Sequence, residues 1–265
     1  ISAWGTHASM AKLPAKRIEA KPLRATVADM RQTLSNRAFI ILMIAGIFGY
    51  TNQGVGFAIS QYNLNYVWQY DSGYALALFF GMVGMFFCVT PITRALGKIR
   101  GGALLAVLSA LFVVTSYTLR LLGLFPEPGS PWLLPCFLFF NTLGTSCGIG
   151  ALIITSSMMS DVVEDSEEVT GRREEGLFFA GSLFMQKTAT GLGIFICGLL
   201  LQAAQFPEKA AVGQVPAAAI DAMNLYFILT TLVLGILSGI ALLRFPFGEA
   251  EHKARIAKLA VASDN

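Results

Sequence analysis

The sequence predicts an all-α, polytopic membrane protein with six transmembrane helices. Three observations carry this. Of 265 residues, 55% are hydrophobic and only 13% charged, against about 25% charged in a soluble domain. Six apolar stretches, 38–64, 74–96, 102–122, 132–159, 177–204 and 221–244, are each long enough to cross about 30 Å of hydrocarbon as a helix. The basic residues fall almost entirely on one side of those stretches, which is the pattern that sets orientation in a bilayer.

The chain divides into 1–37, 38–245 and 246–265. Ile1–Trp4 is too short for the core of a signal peptide. It is expected to be the tail of an earlier helix, which makes the chain a piece of a longer protein. Residues 5–37 are polar and basic, broken by Pro14 and Pro22, and read as a linker. Within it, 24–35 has the composition of a short helix lying on the membrane surface. The six spans follow, and 249–262 is an amphipathic tail segment.

Counting lysine and arginine places 16 of 19 on one side: seven in the linker, then Arg94, Lys98, Arg100, Arg172, Arg173, Arg244 and three in the tail. Arg120 and Lys209 lie on the other side, and Lys187 lies within a span. Both ends and the 160–176 connection are therefore expected in the cytoplasm. Gly144–Gly148 and Gly235–Gly239 have the small-xxx-small spacing that lets helix backbones approach, and Gly191, Gly193 and Gly198 crowd the fifth span. Pro91 and Pro135 are expected to kink or end their helices.

The stretch Asp161–Lys187 carries the sharpest contrast in the chain. Between Asp161 and Gly176, sixteen residues hold seven acids and two arginines. Lys187 then sits about ten residues into an apolar span, roughly 15 Å deep. A lysine so far from an interface does not easily snorkel, and its insertion costs at least about 2.5–3.5 kcal/mol. It calls for an anion, carbonyls or water beside it. A lysine held only by carbonyls and water is the plainer alternative to a substrate or coupling-ion residue. No acid lies in the middle of any span, so a buried carboxylate partner belongs on another segment of polypeptide.

Two further sets are candidates. Asp161, Glu164 and Glu167 follow the fourth span at helical spacing, and Arg172, Arg173 and Glu175 precede the fifth. Glu175 suits a helix N-terminus, whereas Asp161 at a helix C-terminus needs a cation; Arg94, Arg172 and Arg173 are the candidates. The alternative is a solvated charged loop. Within the spans, Asn52, Asn141 and Lys187 are expected to line one central cavity, with Thr145 and Gln186 in the same binding set. Plain interhelical hydrogen bonding, about 0.6 kcal/mol each, is the alternative for any one of them.

No Ser/His/Asp set, HExxH or GxxxxGK[ST] occurs, so neither an enzyme nor an ATP-driven pump is indicated. Cys88, Cys136, Cys147 and Cys197 fall in apolar runs without CxxC spacing, which speaks against zinc or disulfides. His7 and His252 lie in the polar flanks. No cofactor or metal is expected. The basic linker suits anionic lipid headgroups, and nucleic-acid binding has no support.

The order Asp161, Glu164, Glu167, Arg173, Glu175, Gly176 and then a buried Lys187 resembles the glycoside–pentoside–hexuronide:cation symporters of the major facilitator superfamily. The resemblance covers the chain as the C-terminal half, helices 7 to 12. It implies a partner N-terminal six-helix half, with a small-molecule solute bound between the halves near the midplane. It implies that Asp161, Glu164, Arg173 and Glu175 pair across the halves as a cytoplasmic gate, and that Lys187 sits beside the solute and cation sites. It further implies coupling to Na+ or H+, held mainly by acids of the first half, and a place in the bacterial inner membrane. Sugar-specific members present a tryptophan on helix 10. Here Gly148–Thr155 holds no aromatic and Trp132 lies at the outer end. A lysolipid or similar amphipathic solute is the alternative cargo, since the related lysolipid carriers have a similar lysine.

Overall fold

The computed structural model describes residues 35–69, 73–170, 174–207 and 214–246, with side chains at all but 73–78, 82, 85, 86, 88 and 89. The linker helix at 24–35, the amphipathic tail segment and both Arg172 and Arg173 lie outside the described residues.

Helix α1, Arg37–Tyr62, is capped by Asn36, whose Oδ1 accepts from the backbone N–H groups of Ala38 and Phe39 at 2.8 and 3.1 Å. This satisfies two of the donors that a helix start leaves free. The helix runs on into a π-helical turn, Asn63–Trp68, and stops at Gln69 in the left-handed region, φ 56°. Helix α2, Gly73–Leu121, holds two predicted spans and breaks at Gly97, φ 75° and ψ 172°. A Cβ on Gly101 would lie 3.6 Å from the Ile92 carbonyl oxygen. In a continuous helix those residues would be about 13.5 Å apart along the axis, so the chain doubles back at Gly97. Glycine suits this corner because an L side chain is strained at such a φ. The predicted connection 97–101 shrinks to little more than that one residue. Pro91 stays inside the first arm, and the break falls later, at the glycine.

Helix α3, Leu133–Thr170, is 38 residues long. At 1.5 Å per residue it measures about 57 Å, well beyond the roughly 30 Å of hydrocarbon. Most of the predicted 160–176 loop is therefore helix, and Asp161 does not sit at a helix end. The reason is an apolar stripe among the charges: Met158, Met159, Val162, Val163 and Ser166 are buried at helical spacing. Pro135 falls in the first turn of α3, where a missing N–H costs nothing. Helices α4, Glu175–Ala203, and α5, Ala217–Leu243, complete the order.

Among the described residues, five segments are long and apolar enough to span a membrane: Arg37–Trp68, Thr90–Leu121, Leu133–Thr170, Glu175–Ala203 and Ala217–Leu243. The arm of α2 before Gly97 carries the predicted span 74–96 as helix. Many large apolar side chains point outward, Phe87, Phe184, Phe195 and Val233 among them. That arrangement suits lipid rather than water.

Helix α2 packs most extensively on α3, α1 packs on α4, and α5 bridges α1 and α2. Both small-xxx-small pairs face the second arm of α2. A Cβ on Gly144 would meet Val113, and one on Gly235 would meet Ala110, at 2.6 and 2.5 Å. The tightest crossing is α1 on α4, where Gly54 abuts the Thr190 carbonyl and Gly193 the Thr51 carbonyl. The apolar core forms two clusters. One gathers Phe39, Leu42, Met158, Val162, Phe178 and Leu242. The other gathers Val55, Trp68, Tyr117, Phe137, Met223 and Phe227. The start of α1 thus meets the end of α5, so the two run antiparallel.

Candidate functional site

Helices α1 and α3 barely touch, and the space between them is a groove. Its walls are α1 and α3, and its floor is the second arm of α2 with α5. The cavity there measures about 280 Å³. Asn52, Asn141 and Thr145 line it together, with Tyr117, Thr231 and Ser238 from the floor helices. Thr145 donates from Oγ1 to Asn141 Oδ1 at 3.2 Å. Among the described residues that line it, none is Asp, Glu, Lys, Arg or His. This is a neutral hydrogen-bonding surface interleaved with apolar Phe57, Ile149 and Leu152.

A smaller cavity of about 120 Å³ adjoins it, between α1, α3 and α4. Gln186 lines this one, beside Ser156, Ser182 and Met185. Gly46, Tyr50 and Thr155 line both cavities, so they mark where the two meet. Lys187 lines neither and is exposed. It lies one helical turn beyond Leu183, a residue of the smaller cavity, on the same face of α4. The expected single cavity holding Asn52, Asn141 and Lys187 is therefore divided. The asparagines share the groove, and the lysine stands outside it, on a surface of α4 not covered by these helices. The reason is register: α4 turns its small residues Gly193 and Ala189 to α1, which sends Lys187 away from that contact.

At the end where α1 begins, charges tie the helices. Lys98 Nζ donates to Asp161 Oδ1 and Oδ2 at 2.8 and 2.9 Å. Lys98, just past the Gly97 corner, is thus one partner of Asp161, while Arg94 is exposed and Arg172 and Arg173 lie outside the described residues. A helix turn later, Asp165 Oδ2 accepts from Asn36 Nδ2 at 2.9 Å. The amide that caps α1 thereby also ties it to α3. Glu164 and Glu167 lie half-buried on the extension of α3, and Glu175 is exposed in the first turn of α4. At the opposite end, Arg120 and Asp221 pair at 3.0 Å across α2 and α5.

Sequence reasoning missed Lys98, Asn36 and Thr231 as site residues. Lys98 carried one usable signal, its place beside a glycine between two spans. Asn36, an asparagine just ahead of an apolar run, carried the signal of a helix cap, whereas nothing local distinguishes Thr231. Cys136, Cys147 and Cys197 are free thiols, and the described residues contain no cluster fit to hold a metal.

A family model described as MFS/sugar transport protein matches residues 1–249. Over 80 residues the chain is 40% identical to a protein of Synechocystis sp. described as an uncharacterised symporter. That stretch is 30% of this chain and 14% of the relative's length. No solved structure matches.

Proposed function

The chain belongs to the MFS/sugar transport protein family, and from that premise we propose that it is the C-terminal half of a secondary transporter, a cation-coupled symporter of a glycoside or related sugar. The observation that carries the reading is the groove between α1 and α3. It is large enough for a small solute, neutral, and rich in amide and hydroxyl groups. Such groups hydrogen-bond a polyhydroxylated solute without the cost of burying charge.

In this reading the solute lies between this half and an N-terminal six-helix half, which covers Lys187. The lysine meets an acid of that half near the cation site, where Na+ or H+ binds. Transport proceeds by alternating access, and cation plus solute must bind the two states with different affinity to shift them. The end bearing Lys98 and Asp161 faces the cytoplasm of a bacterial inner membrane, as the lysine and arginine bias supports. There Asp161, Glu164, Glu167, Glu175, Arg94, Arg172 and Arg173 belong to the gate, together with Lys98.

A second reading has a specific observation behind it. The groove wall on α3 presents Ile149 and Leu152 and no aromatic ring, which suits an amphipathic solute such as a lysolipid. The test is uptake into proteoliposomes holding the full transporter. Radiolabelled neutral glycosides are run against a lysophospholipid, each with and without a Na+ or proton gradient. Gradient-driven glycoside uptake supports the first reading. Lysophospholipid movement alone supports the second, and movement of neither removes both.

A further inference from the structure

The groove and the smaller cavity lie in series, and one bulky side chain stands between them. Asn36 at the start of α1 bonds Asp165 near the end of α3, so Asp161 and Lys98 mark the end where α1 begins. On α1 the smaller cavity takes residues from Leu42 to Tyr50, whereas the groove takes residues from Ala45 to Asn63. On α3 it takes Thr155, Ser156 and Met159, whereas the groove runs from Asn141 to Thr155. Helix α4 runs the same way as α1, since Phe178 meets Phe39 with ring centroids 5.1 Å apart and Thr190 meets Gly54. It lines the smaller cavity near its start, from Phe179 to Gln186. All three helices therefore put the smaller cavity between the groove and the Lys98–Asp161 end.

Among the described residues, Gly46, Tyr50 and Thr155 line both spaces. Gly46 has no side chain, and Thr155 is held to its own helix by a 2.8 Å bond to the Ala151 carbonyl. Tyr50 is the bulky one. A helical side chain leans toward the start of its helix, and the ring lies back over Gly46, where a Cβ would stand 3.6 Å from Tyr50 Cδ2. Tyr50 is half-buried, and its hydroxyl makes no hydrogen bond among the described residues. A buried tyrosine usually finds a partner, as Tyr117 does with Asn63 at 3.1 Å. No hydrogen bond among the described residues thus fixes the Tyr50 ring. Beyond it the polar lining continues with Ser156, Ser182 and Gln186, which a hydroxylated solute can follow.

We propose that Tyr50 is a specificity-determining residue of the transport path, its ring the divider that a solute passes between the groove and the end bearing Lys98 and Asp161. The ring reads the bulk of the solute rather than its charge, because the side chains that line both spaces are neutral. This rests on the transport reading, with a glycoside as the solute.

The experiment uses the full transporter in proteoliposomes with the methyl, phenyl and naphthyl glycosides of one neutral sugar. The readout is the ratio of kcat/KM for the naphthyl to the methyl glycoside. Tyr50→Ala is expected to raise that ratio about tenfold, the low end of what one group in a pocket discriminates. Tyr50→Trp should lower it, and Tyr50→Phe, which keeps the ring, should leave it at the wild-type value. A merely structural role weakens uptake of all three glycosides alike and leaves the ratio unmoved, which overturns the proposal. Should Tyr50→Ala not fold, Tyr50→Trp against Tyr50→Phe decides it. If no glycoside moves, the glycoside reading has failed and a labelling arm decides Tyr50 by itself. With all native cysteines replaced and Ser182→Cys introduced in the smaller cavity, a membrane-impermeant maleimide is applied from the end bearing Arg120 and Asp221. Tyr50→Ala should speed its reaction about tenfold, and Tyr50→Phe should not. Equal rates in all three proteins, zero included, end the proposal.

Discussion

Lys98 and Asp161 meet through two hydrogen bonds, 2.8 and 2.9 Å, between the corner of α2 and the overhang of α3. The lysine is 37% exposed and the aspartate 11%. A partly exposed pair contributes about 0.2–1 kcal/mol to stability, so its consequence is expected in gating rather than in folding. Asp161→Asn or Lys98→Gln in the full transporter should raise labelling of a cysteine at Ser156 severalfold from that side of the membrane, with little change in thermal midpoint. The charge swap Lys98→Asp with Asp161→Lys should bring labelling back. Equal labelling in all four proteins removes the pair from the gate.

Lys187 has no place in the groove, and its value depends on what covers α4. Lys187→Ala is expected to abolish uptake or to uncouple it from the ion gradient. Lys187→Arg should retain part of the activity, because charge is kept while the geometry changes. Uptake by Lys187→Ala with wild-type rate and wild-type gradient dependence counts against a role for the lysine in transport.

Gly193 and Gly191 sit two residues apart on α4 but differ in surroundings. At Gly193 a side chain would collide with the Thr51 backbone of α1; at Gly191 nothing lies within 4 Å. Gly193→Val should cost about 1–3 kcal/mol or more by prying α1 from α4. Gly191→Ala should be neutral or stabilise by about 0.5–1 kcal/mol through helix propensity. Thermal unfolding in detergent separates the two, and equal midpoints would mean that the close approach is not where the geometry puts it.

Asn36 has two tasks, capping α1 and holding Asp165. Asn36→Ala should lower stability by about 1–2 kcal/mol. Asn36→Asp keeps the capping oxygen but turns the donor toward Asp165 into a like charge. It should therefore fail to rescue. A full rescue in the same unfolding assay would leave the cap as the whole effect.

Much of the fold is legible in the sequence because spans are local facts. Apolar length, the glycine pairs and the lysine and arginine bias are read within one stretch at a time, and the helices form where those stretches lie. The boundaries were less legible at Asp161–Thr170. There the acids mask the buried stripe of Val162, Val163 and Ser166, and charge density reads as loop until the stripe has something to pack on. The candidate site was legible in its residue types. Asn52, Asn141 and Thr145 stand out as polar groups inside apolar spans, and they do share a cavity.

The sequence by itself determined that this chain lives in a membrane, where its helices run, and that Lys187 is an isolated cation in an apolar span. The tertiary structure alone decided who faces whom. Asp161 takes Lys98 because the chain doubles back at Gly97. Lys187 is turned from the groove because the small residues of α4 are used against α1. Tyr117, Thr231 and Ser238 meet Asn52 and Asn141 around one groove because helices far apart in the chain set their register. Composition and periodicity act along one helix, whereas these pairings depend on the rotation and offset of one helix against another, which no local pattern encodes.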